Sequence, residues 1–281
     1  MRGVYEMRRI KCLWMSCLLA FSLMSCNIID EVSEGEIEYT ESSVETYVSS
    51  LDGKIICIFM KQDITDNDIS ILELNEFVEK LADIRSKLQY VSADYKPYDD
   101  ITRIDFTENL SFTGLAGNPI LIDREEFPVL WKKYKDSDIN NMDSDSILYL
   151  LAHEMSHTFD YENDSPKSYV FDIEYFASLK AYVALETCGY TVDDNLFTVN
   201  PGLDEGVYNY QDFVYRTIEF LGNNRTAILR RVFLELQMLE EQTIQEYFYT
   251  YTQMLNDCTE RNLKEYLEEK GWNTLEKHFA G

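Results

Sequence analysis

Apolar residues recur along this 281-residue chain in two rhythms, and the rhythm changes near its middle. Residues 54–60 carry the run Ile55-Ile56-Cys57-Ile58-Phe59, rich in β-branched residues and short enough for a buried strand. Ile71, Leu72, Leu74, Phe77, Val78, Leu81, Ile84 and Leu88 follow at helical spacing, with Asp66 or Asp68 before them as a cap. Residues 94–100, with Pro97, read as a turn. Residues 101–106 and 110–113 read as strands, and the glycines of 114–117 break the pattern. Residues 119–122 form a further strand. Proline cannot donate to a ladder, so Pro119 puts that strand at an edge, or marks where it begins. A charged connection, 124–142, leads to a helix over 145–159 whose apolar side is Leu148, Leu151, Ala152 and Met155. A polar loop with Pro166 separates it from a helix over 169–186 that ends at Gly189. Three or four helices follow Tyr208, with breaks at Asn223-Asn224 and Gly271. Strands first and helices second predict an α+β domain.

The beginning of the chain has another character. Arg8, Arg9 and Lys11 precede an apolar stretch, 13–23, that is too short for a comfortable membrane-spanning helix. It ends in Leu23-Met24-Ser25-Cys26, which resembles the bacterial lipobox. The resemblance implies cleavage before Cys26 and lipid on its sulfur, hence a protein held to a membrane through its N-terminus. Asp30, Glu31, Glu34, Glu36 and Glu38 follow, an acidic stretch similar to the surface-export signal of Bacteroidota lipoproteins. Residues 1–25 are therefore expected to be a signal peptide and 26–48 an acidic tether, with one domain over 49–281 in two lobes, 49–160 and 161–281. The implied location is the outer membrane, lipid-anchored, at the cell surface or in the periplasm. Cys57, Cys188 and Cys258 remain after processing. An odd number at wide spacing is no disulfide framework. Cys57 reads as core, and a Cys188–Cys258 bridge is left open.

Composition narrows the partners. Hydrophobic residues make up 45%, with 20 Tyr and 15 Phe, enough for a large core. The net charge is −26, and it becomes −29 once the four basic residues and one acidic residue of the first 25 are removed. Such a surface repels nucleic acid.

The chemistry lies in His153-Glu154-Met155-Ser156-His157. Residues four apart share one face of a helix, so two imidazoles can bind one metal ion. Glu154 lies a step round the helix, where it can act on a water without being a ligand. Burying two imidazoles beside Leu148, Leu151 and Ala152 without a partner would be costly, which argues for a metal. A catalytic zinc needs a third protein ligand. His278 is set aside because it lies almost at the C-terminus. Asn163 stands where metzincins have their third histidine, and Asp160 where they have glycine. A later carboxylate is left: Glu174, Glu186 or Asp212.

Glu174 is favoured by its place on the next helix across a short loop. Its setting, Ile173-Glu174-Tyr175-Phe176-Ala177-Ser178, also resembles the glutamate helix of gluzincins of the anthrax lethal factor and Pro-Pro endopeptidase group, as does His157-Thr158-Phe159-Asp160. The chain departs from that group at Ser178, where a second acidic residue is usual. It also resembles the zinc-binding metallopeptidase lipoproteins of Bacteroidota, encoded beside nutrient-import systems. Asn209-Tyr210-Gln211-Asp212-Phe213 is similar to their later segment, although Gln211 and Tyr215 stand where glutamates belong. The resemblances imply a zincin-like fold: an N-terminal lobe with a small twisted sheet and the HExxH helix, and a helical C-terminal lobe. They imply Zn2+ on His153, His157 and Glu174, Glu154 as general base and a peptide or protein substrate. Tyr169 is the expected oxyanion donor. Asp160 is placed to orient a ligand histidine, and residues 119–122 are expected to pair with an extended substrate. The alternative is a zincin-fold binding lipoprotein, without turnover, associated with an outer-membrane nutrient-import system.

Overall fold

Alternation of buried and half-buried side chains builds the sheet. In strand β3 (Ile55–Met60), Ile55, Cys57 and Phe59 are buried and the residues between them are not. Strands β4 (Thr102–Thr107) and β6 (Ile120–Asp123) repeat the pattern with Thr102, Ile104 and Phe106, and with Ile120 and Ile122. Their common face is the core face of a six-stranded mixed sheet in the order β1-β2-β3-β4-β6-β5, where β1 is Tyr39–Glu41, β2 Glu45–Ser49 and β5 Gly114–Leu115. The pairs β3–β4 and β4–β6 are parallel; the other neighbours are antiparallel. The computed structural model describes residues 39–41, 44–94, 99–111, 113–136, 141–142, 146–159, 170–192, 210–238 and 244–270.

Among the described residues, nine α-helices accompany the sheet: α1 (Lys61–Asp66), α2 (Ile71–Val91), α3 (Phe127–Asp136), α4 (Ile147–Thr158), α5 (Val170–Thr187), α6 (Tyr210–Leu221), α7 (Arg225–Leu236), α8 (Ile244–Thr259) and α9 (Leu263–Glu269). Two further strands, β7 (Asn141–Met142) and β8 (Thr191–Val192), form a small parallel pair. The α+β class holds. Phe59 stacks on Phe106 at 5.1 Å, Phe106 meets Phe127 at 4.7 Å, and Phe77 meets Trp131 at 5.2 Å, which joins the sheet to α2 and α3.

Several expectations change. The acidic composition predicts a tether to residue 48, but sheet structure begins at Tyr39. Thr46 and Val48 turn inward, while Glu45 and Tyr47 lie on the half-buried side, so an acidic sequence still makes a strand. Helix α2 is capped by Ser70 rather than by Asp66 or Asp68. The Ser70 hydroxyl accepts from the Glu73 amide at 3.3 Å, and the Glu73 carboxylate accepts from the Ser70 amide at 2.7 Å, a reciprocal capping box. The connection 124–142 contains α3, whose Phe127, Leu130 and Trp131 are buried at helical spacing. Pro128 does not stop it, because the first turn of a helix has no amide bond to lose. Residues 110, 111 and 113 lie in no strand, and residue 112 lies outside the described residues; the strand is β5, inside the expected break. Strand β6 therefore lies between β4 and β5, and Pro119 precedes it rather than putting it on the edge. Cys57 is fully buried, and burial pushes its thiol pKa up. Cys188 and Cys258 are both free thiols. Gly271 lies outside the described residues.

Candidate metal centre

Helix α4 brings the motif to the core. Ile147, Leu148, Leu151, Ala152 and Met155 are fully buried and fix the helix by one side. The hydroxyls on this buried helix are satisfied locally: Ser156 donates to the Ala152 carbonyl at 2.7 Å and Thr158 to the Met155 carbonyl at 2.7 Å. His153 and His157 lie one turn apart, with 3.2 Å between their Nε2 atoms.

Helix α5 packs on α4 more extensively than any other pair of elements meets. From Tyr175 to Leu185 every residue of α5 is buried. A helix buried on all sides has neighbours all round it, among them α2, α4, α6, α7, α8 and β8. Beside the ligand position a chain of hydroxyls crosses the interior. Tyr175 donates to Thr217 on α6 at 3.0 Å, and its oxygen lies 2.8 Å from that of Tyr251 on α8.

Glu174, in the second turn of α5, reaches both imidazoles. Its Oε2 lies 2.9 Å from His153 Nε2 and its Oε1 3.8 Å from His157 Nε2. The three residues offer ligand atoms within 4.8 Å of one another, a set that could hold a metal ion. The spacing can be tested against coordination geometry. Tetrahedral donors about 2.05 Å from an ion are about 3.3 Å apart. The two imidazole nitrogens, 3.2 Å apart, meet that value, while Glu174 faces them with different oxygens, Oε2 at 2.9 Å from His153 and Oε1 at 3.8 Å from His157.

The two carboxylates are driven in opposite directions. Burial pushes the pKa of Glu154 up, and the Glu174 charge adds to the rise; nearby His153 and a hydrogen bond from the Ala116 amide act against it. Burial also opposes ionisation of Glu174, but the hydrogen bond from His153 and the charges of both histidines outweigh it and bring its pKa down. Environments that separate two carboxyl groups in this way assign them different jobs. Glu174 remains an anion suited to a cation, and Glu154 is the better proton acceptor.

Two features escaped the sequence reading. Ser178 Oγ lies 3.1 Å from Nδ1 of His153. With Ser178 accepting a hydrogen bond from Nδ1–H, a metal would take the place of the Nε2 proton now shared with Glu174. Ser178 had registered only as a departure from a family pattern, yet its i, i+4 relation to Glu174 puts both on one face of α5. The second is strand β5, which passes directly over Glu154. A Cβ on Gly114 would lie 3.0 Å from Glu154 Oε1. Replacement of Ser178 by alanine is expected to weaken metal affinity about 10- to 100-fold without loss of helicity. Metal-buffer titration with circular dichroism checks both.

The rival ligands fare differently. Both carboxylate oxygens of Glu186 are held by Arg225, and it lies roughly 18 Å along α5 from Glu174. Asp212 belongs to α6, but its side chain lies outside the described residues, as do Cys26, Asp160, Tyr169 and His278. No family model, curated protein or solved structure matches the chain.

Proposed function

We propose that this chain is a zinc-dependent peptide hydrolase with a zincin-like arrangement of the gluzincin type. The observation that carries the reading is the convergence of His153, His157 and Glu174, with Glu154 beside them and outside the ligand set. Two imidazoles and a carboxylate suit Zn2+ and leave a fourth position open. Zinc, when bound, supplies a Lewis-acid charge that polarises a peptide carbonyl and acidifies water. Glu154 takes a proton from the attacking water as the new C–O bond forms. It gives that proton to the amide nitrogen as the C–N bond breaks. Burial around Glu154 keeps bulk water from competing for its proton.

The substrate reading follows from the sheet. The Asp123 amide donates to the Thr113 carbonyl at 3.0 Å, and Leu115 pairs with Leu121. Alternate residues of an antiparallel strand bond inwards and outwards. Gly114 therefore turns its polar groups away from β6. An extended peptide can add to this free edge. The role expected of residues 119–122 passes to β5.

The test is digestion of a peptide library by the zinc-loaded protein, with loss of cleavage on chelation and recovery on adding zinc. Bound zinc without cleavage of any peptide would assign the chain instead to a binding protein. We also propose that Cys26 is the lipidated N-terminus of the processed protein. No helix of the described residues is long and apolar enough to cross a membrane, and the anchor rests on the Leu23-Met24-Ser25-Cys26 signature alone. Cys26→Ser is expected to shift the protein from the membrane to the soluble fraction on cell fractionation. A variant still processed at the same point and still sedimenting with membranes would refute the anchor.

A further inference from the structure

Glu154 has three rotatable side-chain bonds, and neither imidazole holds its carboxylate as a ligand partner would. The group is nevertheless almost wholly buried, with 8% of its surface exposed. Its neighbours on the sheet side are β5 and Ala116, which follows it. The Ala116 amide is the one backbone group there that favours the ionised carboxylate. Two residues earlier, Gly114 presents a bare Cα. A Cβ there would come within 3.0 Å of Glu154 Oε1, 3.2 Å of Glu154 Cγ and 3.2 Å of Leu150 Cδ1. All three are shorter than the 3.5–4.0 Å at which carbon contacts are comfortable. The backbone gives no other reason for glycine. Gly53, Gly189 and Gly222 have positive φ, and Gly114 does not. Its value at this position is space.

We propose that β5 is the seat of Glu154. The Ala116 amide grips the carboxylate, and the missing side chain of Gly114 lets the strand come close enough for that grip. Gly114 and Ala116 are thus positioning residues. The atoms nearest a Cβ on Gly114 belong to Glu154 and Leu150, so its effect falls first on the group that moves the proton. The seat also fixes the distance between the base and the strand edge on which a peptide would lie. The inference rests on the hydrolase reading for its catalytic consequence, but the contact itself can be examined without turnover.

The experiment compares the zinc-loaded wild type with Gly114→Ala and Ala116→Pro. The first variant crowds the carboxylate; the second deletes the amide that holds it, at a position just past the end of β5, where proline removes no ladder bond. Zinc stoichiometry, Tm, kcat and KM are measured for each on a peptide taken from the library. Misplacement of a reacting group by about 1 Å can cost on the order of a hundredfold in rate. Both variants are expected to lose kcat on that scale, with KM, zinc content and Tm close to wild type. Adding Leu150→Ala to Gly114→Ala relieves the contact with leucine but not the contact with the carboxylate, so it should not restore kcat. Wild-type kcat in both single variants would overturn the seat. So would a loss that travels with zinc or Tm, or a rescue by Leu150→Ala, since each points to packing alone. If the wild type cleaves no peptide, the hydrolase reading falls and a crystal structure of zinc-loaded Gly114→Ala decides the seat. A carboxylate displaced from the Ala116 amide supports it, and an unmoved carboxylate overturns it.

Discussion

Replacing Glu174 with alanine is expected to strip the protein of its zinc. The wild type should bind about one zinc per chain. Removing a group that merely orients a ligand costs 10- to 100-fold in affinity, so loss of a direct ligand should cost more than about a hundredfold. The variant leaves His153 and His157 one turn apart with nothing to complete the set. It also removes the carboxylate that holds Nε2 of His153 at 2.9 Å. Helix α5 should survive, because Tyr175 and the residues beyond it are fixed by their own burial. Elemental analysis after dialysis against a zinc buffer gives the answer. Glu186→Ala is the control. Its carboxylate belongs to Arg225, and losing a half-exposed ion pair should leave zinc content unchanged. Full zinc retention by Glu174→Ala would remove the proposed centre.

Glu154→Gln should do the opposite: keep zinc and lose hydrolysis. Glutamine has the same length, fills the same space beside Gly114 and can still contact the Ala116 amide through its oxygen. It cannot accept a proton from water. Positioned general bases contribute roughly 10²–10⁴-fold to rate, and a loss of that size in kcat at unchanged zinc content is the expected result. The comparison needs the library peptide and a matched metal assay on both proteins. A Glu154→Gln protein that turns over at the wild-type rate would exclude Glu154 as the base.

The parts of this arrangement that the sequence makes legible share a property: each is written in local spacing. The pair His153 and His157 shares a face because helices repeat every 3.6 residues, whatever surrounds them. Glu174 is accessible to reasoning because a short connection forces two helices to be neighbours. The features that stayed hidden depend on the third dimension. Ser178 looks like a lost acid until His153 is seen to turn Nδ1 towards it. Gly114 looks like a strand breaker, and the rule that glycine weakens strands is correct on average. Here the strand needs close approach to Glu154 more than it needs a side chain. Strand β2 is hidden by acidic composition, since a strand half-exposed on one face can carry its charges there. Helix α3 was hidden by three lysines and a proline, although its apolar residues keep helical spacing.

The hydroxyl chain from Thr217 through Tyr175 to Tyr251 bears on where this protein could be cut. Tyr175 follows Glu174 directly, and its buried oxygen is shared with α6 and α8, more than forty and seventy residues further on. A fragment ending before α8 would keep all three ligands and the base, yet it would leave that oxygen short of one partner in a region built to exclude water. An unsatisfied buried polar group costs about 1–3 kcal/mol, and the vacated aromatic contacts would add to it. The helix that carries Glu174 is thus tied through Tyr175 to α8, and removing α8 is expected to destabilise it.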